Sequence, residues 1–267
     1  MASLGGRWLR RLIVVGYLWL LVLWPTWYVA KNTFVGGFGA FWDLLRLPEV
    51  TSALEVTARV SVIAVAINVV FGVWLSVVLV RYRFPGRRVL SALIDLPLSV
   101  SPVVVGLALM LVYSPAYGWF GKPLSSAGVQ IVFATPGMVL ATCFVTLPLV
   151  IREVVPVLEE LGEDQEQAAR SLGAGTWQTF RRITVPGIRW ALVYGLVLSL
   201  ARALGEFGAV KVVSSRIAGK SMTATTLVEA RSQFAPHEAY ALSFLLAFAG
   251  VVCLVIVALL RSLGEKS

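Results

Sequence analysis

The chain alternates long apolar stretches with short polar connections, a pattern typical of a membrane protein that crosses the bilayer several times. A spanning helix needs about 20 mostly apolar residues, because the hydrocarbon core is about 30 Å thick and each residue rises about 1.5 Å. Stretches that meet this requirement occupy residues 12–30, 58–80, 93–113, 135–151, 190–210 and 239–260. We therefore predict an all-α, polytopic integral membrane protein with six transmembrane helices.

The N-terminal stretch is predicted to remain attached to the protein. It follows Arg7, Arg10 and Arg11, as in the basic region of a signal peptide, but no small-x-small cleavage site precedes Lys31. We interpret it as an uncleaved anchor. The predicted organisation is an anchor helix with a periplasmic connection at 1–52, a core at 53–260 with a cytoplasmic loop at 152–189, and a cytoplasmic tail at 261–267.

Composition supports the membrane assignment. Apolar residues make up 58% of the chain and charged residues 14%, whereas soluble domains average about 45–50% and about 25%. The mean hydropathy of +0.84 indicates more apolar surface than a core of this size can hide, so the excess is expected to face lipid. A soluble cytosolic enzyme is therefore improbable.

Most basic residues behind the net charge of +9 cluster between apolar stretches. This placement indicates a role in orienting the protein in the membrane rather than in binding nucleic acid. With the N-terminus inside, the inner connections hold 14 Lys and Arg residues and the outer ones 7. Cytoplasmic connections carry the excess of basic residues in membrane proteins. We predict a multi-pass protein with both termini in the cytoplasm.

The chain offers few groups for chemistry of its own. Cys143 and Cys253 lie inside apolar stretches, which favours small core residues over a disulfide or a metal site. His237 is the single histidine, and neither a P-loop nor an HExxH motif is present. We predict no catalytic residue, no metal and no cofactor. A membrane-embedded hydrolase or synthase is disfavoured, because it would need a paired nucleophile and base or a metal site.

The most polar connection, residues 152–189, is too patterned to be a slack linker. Asp164 is predicted to cap a short helix with Gln167 at its third position, in a capping box. Gly173 then ends this helix, and Thr176 is predicted to cap a second one. Two short helices joined by glycines form a compact protrusion on the inner side, which is a natural docking surface.

This connection resembles the EAA signature of ABC importer permeases, E-A-A-x3-G-x9-I-x-L-P. The corresponding residues are Gln167, Ala168, Ala169, Gly173, Ile183, Val185 and Pro186. Gln167 and Val185 depart from the signature's Glu and Leu, and Glu166 stands one residue out of register. The resemblance implies a type I ABC importer permease fold, whose coupling helix sits in a cleft of a cytoplasmic ATPase. The implied coupling residues are Glu166, Gln167, Ala168, Ala169, Gly173, Ile183 and Pro186.

Further stretches look like the sulfate and thiosulfate permeases, namely residues 94–104, 173–180, 201–210 and 212–214. The Arg-x-x-x-Glu-Phe-Gly core that begins at Arg202 is shared with molybdate and tungstate permeases, and the Val-Val-Ser continuation at 212–214 leans towards sulfate. The resemblance implies an inner-membrane subunit that pairs with a second, similar permease. It also implies two ATP-binding subunits, which hydrolyse ATP, and a periplasmic binding protein. The nearest alternative function is that of a homodimeric molybdate or tungstate permease. A further alternative is a membrane anchor or receptor without transport.

Charged residues also fall within the predicted spans. An unpaired charge at a helix centre costs about 2.5–3.5 kcal/mol, so Asp95, Arg202 and Glu206 should face protein or water. Arg202 and Glu206 are four residues apart and are expected to pair, either lining the anion path or bracing the fifth span. Asp95 is expected to cap a helix or to pair with Arg87 or Arg88.

Pro97 and Pro102 interrupt the third predicted span and free backbone groups that Ser99 and Ser101 could satisfy. Such a break either presents N–H groups to an anion or serves only as a packing kink. The predicted residues of the path or gate are Ser99, Ser101, Pro102, Arg202 and Glu206. Four basic residues of one outer connection could attract anions or dock an acidic protein, or form a solvated surface: Lys211, Arg216, Lys220 and Arg231.

Overall fold

The computed structural model describes the backbone of residues 4–264 and the side chains of residues 11–260. Between residues 4 and 264 the chain is helical or irregular and has no β-strand, which confirms the predicted all-α class. Residues 265–267 of the predicted tail lie outside the described part, as do the side chains at positions 7, 10 and 261 that entered the charge count.

Fifteen α-helices and two π-helical segments follow one another along the described chain. They are α1 (Leu4–Leu18), a first π-helical segment (Trp19–Leu23), α2 (Trp24–Thr33), α3 (Gly37–Leu45), α4 (Pro48–Arg81), α5 (Arg87–Ser99), α6 (Pro102–Tyr113), α7 (Gly121–Ser126), α8 (Thr135–Leu161), α9 (Asp164–Ser171), α10 (Thr176–Thr179), a second π-helical segment (Phe180–Thr184), α11 (Val185–Gly187), α12 (Arg189–Leu204), α13 (Gly208–Val213), α14 (Ala224–Arg231) and α15 (Pro236–Gly264).

Within the described residues, four helical stretches are long and apolar enough to cross a membrane by themselves: Arg11–Thr33, Pro48–Arg81, Thr135–Leu161 and Pro236–Leu260. Two bent pairs of helices pass the same test together, each as a broken span or a re-entrant loop: Arg87–Ser99 with Pro102–Tyr113 at 113° and Thr176–Gly187 with Arg189–Leu204 at 69°. The six predicted spans are recovered when each bent pair counts as one.

The observed helix bounds correct two predicted spans. The stretch 93–113 is not one helix, because the chain turns between Ser99 and Pro102. The stretch 190–210 ends as a helix at Leu204, and its last residues belong to α13. Hydropathy reports which residues suit the apolar layer, whereas a helix ends where its backbone hydrogen bonding ends. An apolar stretch can therefore contain a break that hydropathy does not report.

Two other spans are longer than predicted for the same reason. The stretch 135–151 stopped at the first charged residue, yet α8 continues as a helix to Leu161. Likewise, α4 begins ten residues before the predicted 58–80. Residue 52, the predicted end of the first region, therefore lies within α4, and the division of the chain into regions stays a prediction.

The core is formed where α4, α8 and α12 pack together. Val150 of α8 lies between two glycines, since a Cβ added to Gly72 would be 2.8 Å from Val150 Cγ1 and one added to Gly195 would be 3.0 Å from Val150 Cα. Small residues let membrane helices approach closely. Across the same interface, the Asn68 amide donates to the Thr146 hydroxyl at 2.7 Å.

The N-terminal span stands apart from this core. No residue of its most apolar stretch is buried, and α2 contacts α15 through pairs such as Tyr28 with Tyr240. The ring of Phe34, just after α2, meets Phe244 of α15 edge to face, with centroids 5.3 Å apart. This span therefore offers its remaining surface to lipid or to another subunit.

Both ends of the bundle can be named from its contacts. Residues 162–188, named here the connecting loop, join the last turn of α8 to the first of α12 and define the loop end. The Tyr194 hydroxyl donates to the Leu260 carbonyl at 3.1 Å, so α15 also finishes there. At the opposite, far end, Arg231 of α14 pairs with Glu49 in the first turn of α4.

Candidate functional site

The connecting loop folds into the compact unit that its pattern predicted. Gly173 has φ of +85° and follows α9, where a left-handed residue is needed and glycine supplies it without strain. The predicted caps were wrong by one residue: Glu163 precedes α9 in place of Asp164, and Gly175 precedes α10 in place of Thr176. Neither helix has a side-chain capping hydrogen bond, so the predicted capping box is absent from α9, and Gly175 has no side chain with which to cap α10.

Glu166 is the buried centre of the connecting loop. Its carboxylate accepts from Arg81 Nε at 3.2 Å and from the Thr184 hydroxyl at 2.8 Å. The same guanidinium donates to the carbonyls of Leu158 at 3.1 Å and Gly162 at 2.7 Å. One ion pair thus ties the end of α4, the end of α8 and the loop together.

The other predicted coupling residues lie closer to the surface. Gln167, Ala168, Gly173 and Pro186 are exposed, while Ala169 and Ile183 are half-buried. Glu166 is therefore the one member of the predicted set that points into the structure.

Two large apolar side chains flank Gly173 and project from the loop. Leu172 is 90% exposed and Trp177 is 70% exposed, with the Trp177 ring stacked on Phe180 at 5.6 Å between centroids. Three arginines of the same loop are exposed as well, namely Arg170, Arg181 and Arg182. Exposed apolar groups rimmed by polar residues mark protein–protein contacts, so this face of the loop can bind a partner.

The third span breaks at its centre, as the prolines predicted, although the break differs in detail. Pro97 lies inside α5, and the turn falls at Val100 and Ser101, before Pro102 begins α6. Within the described side chains, the hydroxyls of Ser99 and Ser101 make no hydrogen bond. The predicted compensation by these hydroxyls is therefore wrong. The Ser101 carbonyl instead accepts N–H groups of the first turn of α6.

This break lies against the one that ends the fifth span. A Cβ added to Gly208 of α13 would be 3.0 Å from Pro102 Cβ, and one added to Gly106 of α6 would be 2.7 Å from the Ala209 carbonyl oxygen. The two short helices that follow the breaks therefore pack backbone to backbone. Residues 101–102 and 205–208, far apart in sequence, meet at one point within the bundle.

Arg202 and Glu206 form the ion pair that their spacing predicted, with Nη1 and Oε2 separated by 2.8 Å. The contact is electrostatic, because Oε2 has no aligned hydrogen-bond donor. The other carboxylate oxygen accepts the Ala209 N–H at 2.9 Å. The Glu206 side chain is 1% exposed and that of Arg202 is 38% exposed. The pair thus buries its acid and leaves its base accessible.

Asp95 pairs with neither predicted partner. Arg152 of α8 lies 3.0 Å from its carboxylate, whereas Arg87 lies 3.9 Å from Glu159. Arg87 stands about two turns from Asp95 along α5, which is too far for pairing on one helix. Both members of the Asp95–Arg152 pair are half-exposed. Since charges in spanning segments avoid lipid, this face meets another subunit or water.

Metal chemistry has no support in the described residues. No group of three His, Cys, Asp or Glu side chains that could hold an ion occurs among them. Cys143 and Cys253 are free and buried, as predicted for small core residues.

Similarity to known proteins identifies the family. The family model described as "Binding-protein-dependent transport system inner membrane component" matches residues 68–266. The chain belongs to this family. The Sulfate transport system permease protein CysW of Synechocystis sp. is 46% identical over 241 residues, which cover 90% of this chain and 87% of that protein. The Sulfate transport system permease protein CysT of Escherichia coli is 36% identical over 217 residues, covering 81% and 78%.

The fold agrees with this membership. A chain from the crystal structure of a bacterial ABC transporter involved in the import of the acidic polysaccharide alginate superposes on this permease with a TM-score of 0.77. The two are 18% identical, and the superposition covers 98% of this chain and 96% of the other. The predicted type I importer permease fold is therefore confirmed.

Sequence reasoning missed three groups at these sites: Arg81, Arg152 and Thr184. Arg81 and Arg152 entered only the charge count, although each makes an ion pair with an acid far away in sequence. One signal was available for Arg81. Glu166 stands one residue out of register with the signature, and a carboxylate that is buried there needs a basic partner. Nothing in the local pattern pointed to Thr184, whose hydroxyl completes the site.

Proposed function

We propose that the chain is a permease subunit of a bacterial importer for sulfate or thiosulfate. The observation that carries this proposal is the 46% identity to a sulfate transport system permease along 90% of the chain. In the proposed complex a periplasmic binding protein delivers the anion, two permeases form the path, and two cytoplasmic ATP-binding subunits bind and hydrolyse ATP. This chain contributes no catalytic group.

The partner permease is proposed to be a similar, non-identical chain. Proteins named CysW and CysT are both similar to this one, at 46% and 36% identity, and CysW is the nearer of these two. The partner is therefore expected to be of the CysT type. A homodimeric molybdate or tungstate permease is not favoured, since both relatives are named sulfate transport permeases.

The loop end is assigned to the cytoplasm. The connections placed on that side carry 14 Lys and Arg residues against 7 on the other, and basic residues are enriched in cytoplasmic connections. Both termini then lie in the cytoplasm, and α13 and α14 lie towards the periplasm, where the binding protein arrives.

The connecting loop is proposed to dock on an ATP-binding subunit. Leu172 and Trp177 offer apolar anchors, and Gln167 and Ala168 lie on the exposed surface of α9. Gly173 permits the turn between α9 and α10, while Ile183 and Pro186 shape the return of the chain to α12. Closure of the ATPase on ATP would then displace the loop and bias the permease between two states.

The anion path is proposed to pass the meeting point of the two broken spans. Arg202 is accessible there, and the burial of Glu206 removes the carboxylate that would repel a dianion. Ser99 and Ser101 are exposed, with hydroxyls available to a passing oxyanion, and Pro102 holds the turn that presents them. Glu206 then positions Arg202 and does not touch the anion.

Uptake of labelled sulfate tests this function. Cells that lack their own sulfate permease would receive this chain, a CysT-type permease, the ATP-binding subunit and the binding protein. We expect uptake that excess thiosulfate blocks and excess molybdate does not, and that Gly173→Asp abolishes while the protein remains in the membrane. Molybdate-stimulated ATP hydrolysis without sulfate uptake would contradict the substrate assignment. Normal uptake after deletion of residues 165–172 would contradict the coupling role of the loop.

A further inference from the structure

We propose that Arg81 and Glu166 are positioning residues that transmit displacement of the connecting loop to α4 and α8. The inference rests on the proposed function, in which the outer face of the loop docks on an ATP-binding subunit. It assigns a separate task to the inner face, which is to make the loop and two spanning helices move as one body.

The first step of the argument is the position of Arg81. It is the last residue of α4, and its guanidinium donates to the carbonyls of Leu158 and Gly162 at the end of α8. The last carbonyls of a helix have no donor within that helix, and a positive charge is favourable beside them. Arg81 therefore joins the ends of α4 and α8 independently of its contact with Glu166.

The second step is the hold on Glu166. Arg81 Nε and Nη2 lie 3.2 and 3.3 Å from the two carboxylate oxygens, and the Thr184 hydroxyl donates to one of them at 2.8 Å. The side chains of Arg81 and Glu166 are 9% and 8% exposed. Separation of a buried ion pair leaves an uncompensated charge, which is strongly unfavourable. The loop therefore cannot leave α4 and α8 while this pair is intact.

The third step is the contrast with Gln167. Among the described side chains, this exposed amide donates to Glu163 of the preceding turn, at 3.4 Å, and makes no hydrogen bond to a spanning helix. In this chain the acid stands at 166 and points inward. The outer face of the loop is thus left to partner contacts, and the inner face carries the connection to the bundle.

The test uses the complete complex reconstituted in proteoliposomes, with the binding protein loaded with labelled sulfate. Arg81→Lys retains the charge but loses the forked geometry, and Glu166→Gln retains the shape but loses the charge. We expect both complexes to assemble. In the absence of the binding protein, their rates of ATP hydrolysis should stay within about twofold of the wild-type rate. We expect sulfate imported per ATP to fall at least about tenfold, as for loss of a buried charged hydrogen bond.

A matched control lies on the same helix. Arg59 and Glu55 form an exposed pair four residues apart on α4, with side chains 59% and 68% exposed. Arg59→Lys and Glu55→Gln repeat the two chemical changes at a pair that joins no other element. We expect the import of sulfate per ATP to stay at the wild-type value in both.

Other results would overturn the inference. If import and ATP hydrolysis both fall in proportion to the amount of assembled complex, the pair only supports folding. If the amount of complex and the sulfate imported per ATP both stay at the wild-type values, the pair transmits nothing. If neither variant assembles, Thr184→Val decides, because it removes one hydrogen bond and keeps the ion pair. We expect that variant to lower import per ATP by about 2- to 10-fold, and no change would refute the inference. A wild-type complex that imports neither sulfate nor thiosulfate would instead contradict the proposed function.

Discussion

Two Arg–Glu pairs, one at the loop end and one at the broken spans, use the same chemistry differently. Arg81 and Glu166 are both buried, and the guanidinium also binds two helix-end carbonyls. Arg202 and Glu206 share one electrostatic contact, and only the acid is buried. The first arrangement fixes both partners in one geometry. The second fixes the acid and leaves the base free to meet water or an anion.

This difference shows that an ion pair in a membrane protein takes its role from burial and from the remaining hydrogen bonds. A guanidinium that makes four hydrogen bonds to the protein, as Arg81 does, has little left for a substrate, whereas one that is 38% exposed retains donors. Arg81 therefore suits mechanical connection, and Arg202 suits contact with a translocated anion.

The largest effect on stability is expected from Arg81→Ala. The change leaves Glu166 with only the more distant and exposed Arg170, 3.7 Å away, and leaves the Leu158 and Gly162 carbonyls without their donor. Removal of one member of a buried pair costs about 3–5 kcal/mol. The thermal unfolding midpoint of the purified complex measures it. The double variant Arg81→Ala with Glu166→Ala should recover part of the loss, and no recovery would contradict the pairing.

Arg202→Ala is expected to lower stability less than Arg81→Ala does. Its main effect should be a loss of transport. Glu206 keeps its hydrogen bond from the Ala209 N–H, and Arg202 is already partly solvated. The loss of unfolding free energy should therefore lie near the lower end of the range for a buried pair, about 3 kcal/mol. Sulfate uptake per assembled complex should nevertheless fall sharply. Arg202→Lys, which preserves the charge, serves as the control. Equal uptake by wild type and Arg202→Ala would leave the pair a purely structural brace.

Gly106→Ala probes the contact between the two broken spans. The new Cβ would lie 2.7 Å from the Ala209 carbonyl oxygen, which is backbone and cannot move aside cheaply. Overpacking of this kind costs about 1–3 kcal/mol. Gly250→Ala is the control, since a Cβ there meets nothing within 4 Å. Equal unfolding midpoints for the two variants would mean that α6 and α13 do not pack as closely as described.

The smallest effect concerns an ion pair at the far end. A hydrogen bond from Lys211, with the charges of Lys211 and Arg216, lowers the pKa of Glu229 below its ordinary value despite some desolvation. A lowered carboxyl pKa contributes stability above the unfolded value, about 4.3, that is lost as pH falls through the folded one. The difference in unfolding midpoint between wild type and Glu229→Gln should therefore shrink on acidification. A difference independent of pH would contradict this ion pair.

Local patterns predicted the features that depend on neighbouring residues. The spans follow from apolar stretches of sufficient length, the end of α9 follows from Gly173, and the Arg202–Glu206 pair follows from a spacing of four. Such reasoning failed for features that depend on exact register or on contacts between distant parts of the chain. The caps shifted by one residue because capping depends on the exact register of the first turn. The fifth span ends early, at Leu204, and the chain beyond it packs against α6.

Sequence alone determined that this is a six-span, basic membrane protein with a patterned loop, because hydropathy, charge and glycine positions act within a few residues of the chain. Tertiary structure alone decided that Glu166 points inward to Arg81, that Asp95 pairs with Arg152, and that the two broken spans meet. These contacts join residues tens of positions apart. A charge selects its partner by distance in space and by the burial around it, and neither exists until the helices have packed.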